Sequence, residues 1–129
     1  MDTNVLLRFL LADDLVQHRL AVEFVQGRTP ADPAFVSIVV LVETVWVLQR
    51  VKGFDAKLVA DAMSALLATD DFVFEEHDVL VGIFADAALQ HADVADHVIA
   101  QLGRRRGCDH TVTFDRQAAR HIPSMSLLA

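Results

Sequence analysis

The fold is decided by the stretch AFVSIVVLVETVWVLQRV, which covers residues 34–51. Residues 34–36 favour a short strand, and Ser37 is a plausible N-cap for a helix that continues to about Val51. Gly53 then ends the helix. A strand that leads directly into an apolar helix is the repeating unit of an α/β fold.

Outward from this stretch, strand-like and helix-like periodicity alternates in both directions. Helices are predicted at about residues 5–11, 15–26, 56–68, 76–90, 93–107 and 114–119, and strands at 72–74, 111–113 and 126–128. Strands separated by helices imply a mostly parallel sheet with helices on both faces, within one α/β domain over residues 1–129. In such sheets, functional sites form at the carboxyl ends of the strands.

The composition indicates a soluble protein of the reducing cytoplasm. Apolar residues make up 53% of the chain, enough for a sizeable core, and the single cysteine, Cys108, excludes an internal disulfide. No signal peptide is recognisable, and the most apolar stretch, residues 35–48, is too short to span a membrane. The net charge of −7 argues against a general electrostatic hold on nucleic acid, unless several carboxylates converge on a cation.

Glu43 is the most informative acidic residue, because it is the one carboxylate within residues 35–48. A carboxylate in so apolar a helix is costly to bury without a partner or a metal. The segment leaves a second interpretation open, in which Glu43 lies on a solvated face and pairs with Arg50 or Lys52.

Four aspartates occupy positions where a parallel sheet presents ligands. Asp2 lies where a first strand would meet a helix, and Asp115 follows the predicted strand at 111–113. Asp93 and Asp96 are three residues apart on one helix and share a face. The alternative for each aspartate is a helix cap or a first-turn position, which the residue type favours. Hard oxygen ligands of this kind suit Mg²⁺ or Mn²⁺ rather than zinc.

These acidic positions fall within blocks that resemble the PIN-domain family. The blocks are DTNVLL at 2–7, VVLVETVWVL at 39–48, ADVADHVIA at 92–100, GCD at 107–109 and TFDR at 113–116. They occur in the family's order over nearly the whole chain. The small size, without extra domains, favours a resemblance to VapC-type toxins within this family of nucleases.

The resemblance implies a three-layer α/β/α fold around a mostly parallel sheet of about five strands. It implies roles in catalysis and metal binding for Asp2, Glu43, Asp96 and Asp115, a further metal ligand in Asp93, and polar residues beside the metal in Asn4 and Thr113. The expected protein is a ribonuclease that depends on Mg²⁺ or Mn²⁺, forms a homodimer and is blocked by a cognate antitoxin protein.

Two features depart from the family pattern. Only Met1 precedes Asp2, where the family has a short apolar strand, so we expect either a truncated first strand or an incomplete chain start. His97 stands where the family often has a small residue. We expect the histidine to be tolerated there, or to add a ligand or a proton carrier.

The remaining polar and aromatic features have simpler interpretations. The basic run at 104–106 is expected to be a solvated helix end, while Arg8 and Arg116 lie nearer the proposed site and are candidates for phosphate contacts. Cys108 and Trp46 are expected to lie in the core.

Three other functions are open. The first is a PIN-type nuclease outside any toxin pair, and the second is a catalytically inactive PIN-like module that binds RNA or protein. The third is an aspartyl-phosphate α/β protein with Asp2 as the nucleophile. That function requires a lysine near a late strand, whereas the two lysines, Lys52 and Lys57, are both in mid-chain.

Overall fold

The computed structural model describes residues 1–86 and 92–128. The elements in chain order are α1 (Thr3–Leu10), α2 (Leu15–Gln26), β1 (Ala34–Val36), α3 (Ile38–Trp46), a π-helical turn (Val47–Val51), α4 (Ala56–Leu67), β2 (Phe72–Phe74), α5 (His77–Ala85), α6 (Val94–Arg105), β3 (Thr111–Thr113), α7 (Arg116–His121) and β4 (Met125–Leu127). Within these residues, no helix combines the length and the apolar character that crossing a membrane requires.

Side-chain caps explain where several helices begin. The carboxylate of Asp14 accepts a hydrogen bond from the amide of Gln17 at 3.0 Å, and Ser37 Oγ accepts one from the amide of Val40 at 3.3 Å. Gly107 follows α6 with φ at 88°, a conformation that glycine adopts at low cost. These contacts confirm the starts predicted for α2 and α3 and the end predicted for α6.

The strands form two separate parallel pairs. β1 pairs with β2, with Ala34 opposite Phe72 and Val36 opposite Phe74, and β3 pairs with β4. The α/β class and the parallel pairing are therefore confirmed. In residues 1–86 and 92–128 no further strand joins the two pairs, so the expected five-stranded sheet is not confirmed. Strands of only three residues make few inter-strand hydrogen bonds, which leaves helix packing as the main source of order.

Helix α3 is the centre of the main core. Its residues Leu41 and Val45 are buried, together with Leu6 of α1, Met63 of α4 and Val94 of α6. α3 contacts both α1 and α6. This apolar contact fixes the positions of the helices that carry most of the predicted acidic site.

A smaller apolar cluster positions the C-terminal part of the domain. Ala100 of α6 packs with Ala118, Ile122 and Met125, which belong to the segment from α7 to β4. The cluster holds the start of α7 beside α6. Because Asp115 directly precedes α7, the cluster also determines where this aspartate lies.

Three local expectations were wrong or were only partly met. Trp46 is 51% exposed, because it lies on the side of α3 turned about 140° from Leu41. Cys108 is also exposed, because it lies in the turn after Gly107 rather than in an apolar element. α5 ends at Ala85, and the predicted continuation of the helix over 87–90 lies outside the described residues.

The central position of α3 can be tested through the free energy of unfolding. Leu41 is fully buried, so Leu41→Ala should destabilise the protein by about 2–5 kcal/mol through lost burial and a residual cavity. Val39 lies on the same helix but is 69% exposed, and Val39→Ala should cost less than about 1 kcal/mol. Urea unfolding of both variants measures the difference, and equal losses would contradict this view of the core.

Candidate active site

Helix α6 begins with two aspartates one turn apart. Asp93 is the N-cap, and its Oδ1 accepts a hydrogen bond from the amide of Ala95 at 3.2 Å. Asp96 lies in the first turn and is half-buried. The cap uses one oxygen of Asp93, and the other, Oδ2, lies 3.8 Å from Nη2 of Arg50. The capping role therefore leaves part of the carboxylate available for a ligand.

Asp115 is held at the carboxyl end of β3. Its Oδ1 accepts hydrogen bonds from the amides of Gln117 and Ala118 at 2.7 and 3.1 Å, which starts α7. Thr113 Oγ1 accepts a hydrogen bond from the amide of Asp115 at 3.0 Å and so fixes the turn between strand and helix. Thr113 therefore positions Asp115, whereas the role predicted for Thr113 was that of a polar residue beside the metal.

The three aspartates share one cavity of about 510 Å³. The residues that line it are Gln49, Arg50, Phe54, Ala56, Ala92, Asp93, Asp96, Asp115, Gln117 and Ala118. The cavity lies between the end of α3, the start of α6 and the start of α7. The cavity thus lies next to the carboxyl end of β3, where a parallel sheet is expected to present ligands, and it contains three of the five predicted acidic residues.

Burial and mutual repulsion shape the electrostatics of this cavity. The pKa of Asp96 is raised above its ordinary value, first by burial and then by the negative charges of Asp93 and Asp115. The ionised form of Asp96 is therefore disfavoured in the folded protein. A cation bound between these carboxylates would remove both penalties.

Asp2 and Glu43 form a second group that does not line this cavity. Asp2 Oδ1 caps α1 by accepting from the amide of Val5 at 3.0 Å, and Thr3 Oγ1 donates to Glu43 Oε2 at 3.2 Å. Glu43 is exposed, as in the solvated-face interpretation. The partners expected in that interpretation bind elsewhere, because Arg50 contacts Asp93 and Lys52 contacts Asp13.

The donor chemistry at the cavity fits a hard divalent cation, since carboxylate oxygens are the ligands that Mg²⁺ and Mn²⁺ prefer. In the described parts of the chain, no three His, Cys, Asp or Glu side chains are arranged to hold a metal ion as they stand. The fit therefore rests on the type and charge of Asp93, Asp96 and Asp115 and on the partial burial of Asp93 and Asp96. It does not rest on a preformed coordination shell.

Comparison with protein-family models identifies the domain. The model of the PIN domain matches residues 1–122, which is almost the entire chain. The chain belongs to the PIN-domain family. Comparisons with curated proteins and with solved structures gave no match.

The PIN domain also places residues at the cavity that the sequence did not single out. Gln49, Arg50 and Phe54 line it. Arg50 contacts Asp93, not Glu43, which was the partner considered from the sequence. These residues follow the end of α3, where the backbone changes to a π-helical turn. Periodicity based on 3.6 residues per turn does not predict this change. The sequence therefore could not show that Gln49, Arg50 and Phe54 point towards the cavity.

Two other predicted residues lie away from the cavity. Asn4 lines an apolar groove between α1 and α2, together with Val5 and Phe24. His97 is buried, its Nε2 has no hydrogen-bond partner, and burial lowers its pKa. It lines a different cavity, on the α5 side of α6. His97 therefore lies outside the cavity shared by the aspartates, and the expectation that the histidine is tolerated there stays a prediction.

The raised pKa of Asp96 leads to a prediction about stability and pH. A raised folded-state pKa means that the folded protein binds the proton more tightly, so stability falls as the pH rises above the ordinary value of 3.8. Asp96→Asn cannot ionise. With EDTA present, its melting temperature should exceed that of the wild type at about pH 7, and the advantage should shrink towards about pH 3.

Asp109→Asn is the matched control, because Asp109 is exposed and outside the cavity. Its melting temperature should follow that of the wild type at both pH values. A destabilised Asp96→Asn at about pH 7 would contradict the repulsion inferred for the three carboxylates.

Proposed function

We propose that this PIN domain is a metal-dependent endoribonuclease that hydrolyses RNA phosphodiester bonds. The observation that carries the proposal is the partly buried cavity shared by Asp93, Asp96 and Asp115, in which burial and repulsion raise the pKa of Asp96. Membership of the PIN family supports a nuclease. Perturbed carboxylates in a cleft are a common feature of catalytic sites.

In this proposal, Asp96, Asp115 and Asp93 hold one or two Mg²⁺ or Mn²⁺ ions. Such an ion, when bound, supplies a Lewis acid that lowers the pKa of a coordinated water and stabilises charge on the scissile phosphate. The capping hydrogen bonds to Asp93 and Asp115 fix both carboxylates before the ion arrives. Fixed ligands lose little conformational freedom on binding, which favours affinity.

Asp2 and Glu43 have supporting roles in the same proposal. Both lie near the start of α1, where Thr3 links that helix to Glu43. The resemblance implies that they complete the acidic site. Their part would be to orient a water or the substrate, with cleavage leaving a 5′-phosphate and a 3′-hydroxyl.

The proposal requires local cations for RNA, because the net charge of the chain is −7. Arg8 pairs with Asp13 at 2.7 Å, and Arg105 pairs with Glu76, so each is partly neutralised. Arg116 is exposed directly after Asp115, and Arg50 lines the cavity itself. Arg50 and Arg116 are therefore the cations best placed to meet a phosphate.

We further propose that the nuclease is the toxin of a toxin–antitoxin pair and forms a homodimer in the cytoplasm. Exposed apolar side chains on α2, among them Leu15, Val16 and Leu20, support partner binding, since such surface is costly to leave in water. The apolar groove between α1 and α2 adds to this surface.

One observation favours a second candidate, a PIN-like module that binds RNA or protein without cleavage. In the described residues the carboxylates divide between two places, and no three of them form a metal-ligand group. The two candidates differ in whether metal-dependent cleavage occurs at all.

A titration with Mn²⁺ tests the nuclease directly. Cleavage of a mixed RNA pool by the wild type should rise with Mn²⁺ and vanish in EDTA. Asp96→Asn and Asp115→Asn should each lower the rate by at least about 100-fold, because ligands should matter more than their outer-shell partners. Asparagine also caps helices well, so Asp115→Asn removes charge without removing the start of α7.

Asp109→Asn is again the control and should cleave like the wild type. Absence of cleavage by a folded wild type would favour the binding module. Cleavage that is equal in the wild type and in Asp96→Asn would show that other residues, or a contaminating nuclease, are responsible.

The partner proposal has its own measurement. Light scattering during size-exclusion chromatography should give twice the mass of the chain, and a monomer would contradict the homodimer. Expression of the wild type should arrest bacterial growth, and co-expression of a small protein encoded immediately upstream should relieve the arrest. Asp96→Asn should not arrest growth at equal expression.

A further inference from the structure

The turn after α3 gives the acidic cavity a second wall. α3 passes into the π-helical turn Val47–Val51, where the amide of Lys52 donates to the carbonyl of Val47 at 3.0 Å. Gly53, with φ at 74°, then reverses the chain, and the amide of Phe54 donates to the carbonyl of Leu48 at 3.0 Å. Single π-helical turns are frequent at functional sites because they redirect side chains.

The side chains from this turn differ in chemistry from the aspartates that line the same cavity. Gln49, Arg50 and Phe54 provide an amide, a guanidinium and an aromatic ring to the cavity that holds Asp93 and Asp96. The volume of about 510 Å³ lies within the range of about 300–1,000 Å³ that is typical of small-molecule sites. A single nucleotide carries the matching groups, namely a base edge, a phosphate and a flat aromatic face.

Arg50 is available for a ligand in spite of its contact with Asp93. The two groups are 3.8 Å apart and the Arg50 side chain is 65% exposed, so the ion pair is loose and well screened. Most of the donors of the guanidinium therefore face solvent. In a chain of net charge −7, this cation lies where RNA would approach the carboxylates.

Phe54 lies between two cavities and is partly exposed. It lines the acidic cavity and also a smaller apolar cavity formed with Leu48, Leu58 and Val59. The residue is 36% exposed. A partly exposed aromatic ring that lines a cavity can stack on a base, because every base has a flat aromatic face.

We propose that Gln49, Arg50 and Phe54 form a nucleotide subsite beside the carboxylates and select the residue next to the scissile phosphate. Phe54 stacks on the base, Arg50 contacts a phosphate oxygen, and the Gln49 amide bonds to the base edge. The subsite rests on the proposed nuclease function. Because a base must expose its face to stack on Phe54, the selected nucleotide is unpaired.

Kinetics on a single-stranded RNA in Mn²⁺ test the subsite. Phe54→Leu should raise KM about tenfold or more and change kcat less, as loss of base stacking would. Phe54→Trp should restore the wild-type KM, because indole also stacks. A packing role would not be rescued by a larger ring, so failure of this rescue would overturn the stacking role. Phe35→Leu, at an exposed phenylalanine outside the cavity, is the matched control.

Arg50→Gln separates phosphate binding from a role as partner of Asp93. If Arg50 contacts phosphate, KM for RNA rises and its dependence on salt becomes shallower. If Arg50 only pairs with Asp93, the concentration of Mn²⁺ for half-maximal activity changes and KM does not, which would overturn this part of the subsite. Arg104→Gln, at an exposed arginine outside the cavity, should leave both values unchanged.

Binding measured without cleavage separates this proposal from the nuclease proposal. Fluorescence anisotropy of a labelled single-stranded RNA is recorded with Ca²⁺ in place of Mn²⁺. Weaker binding of Phe54→Leu, with no effect on a duplex of the same sequence, supports the subsite even if the wild type does not cleave. Equal binding and equal KM in an active nuclease would overturn the subsite alone. A wild type that neither binds nor cleaves RNA would overturn both.

Discussion

The interaction on which the site depends is the repulsion among Asp93, Asp96 and Asp115 in a partly buried cavity. Burial and the two neighbouring charges raise the pKa of Asp96, so the folded protein keeps this carboxylate at a cost to its own stability. A cation bound between the carboxylates would offset this destabilisation. The two capping aspartates are held by backbone amides and cannot move apart freely to relieve the repulsion.

The apolar contacts of α3 are what allow this arrangement. The helix contacts both α1 and α6, and its π-helical end brings Arg50 and Phe54 to the cavity. α3 thus positions both groups of side chains: Asp93 and Asp96 through its contact with α6, and Arg50 and Phe54 through its own C-terminal turn. Each of the short strand pairs contributes three residues per strand, so the helices provide most of the framework.

Sequence reasoning predicted the elements better than the site. Caps such as Ser37 and Asp14 and stops such as Gly107 act locally, so the residues themselves determine where helices begin and end. Because aspartate is a good helix cap, the sequence could not distinguish a capping role from a metal-binding role for Asp93 and Asp115. In the structure, Oδ1 of each aspartate caps a helix, and both residues also line the cavity.

The parts that sequence could not supply depend on packing between distant segments. Glu43 lies on the exposed side of α3 and meets Thr3, which is 40 residues away. Trp46 is exposed because it lies on the same face of α3 as Val39 and Glu43, which are also exposed. The shift to a π-helical turn at Val47–Val51, which faces Arg50 and Phe54 into the cavity, has no signature in the spacing of apolar residues.

The most direct test is calorimetric titration of Mn²⁺ into the wild-type protein and into Asp96→Asn. Saturable binding by the wild type, with proton release that grows as the pH is lowered towards the raised pKa of Asp96, is the predicted result. The variant should bind far more weakly and release no such proton. Equal binding by both proteins, or no binding by a folded wild type, would contradict the assignment of this cavity as the metal centre.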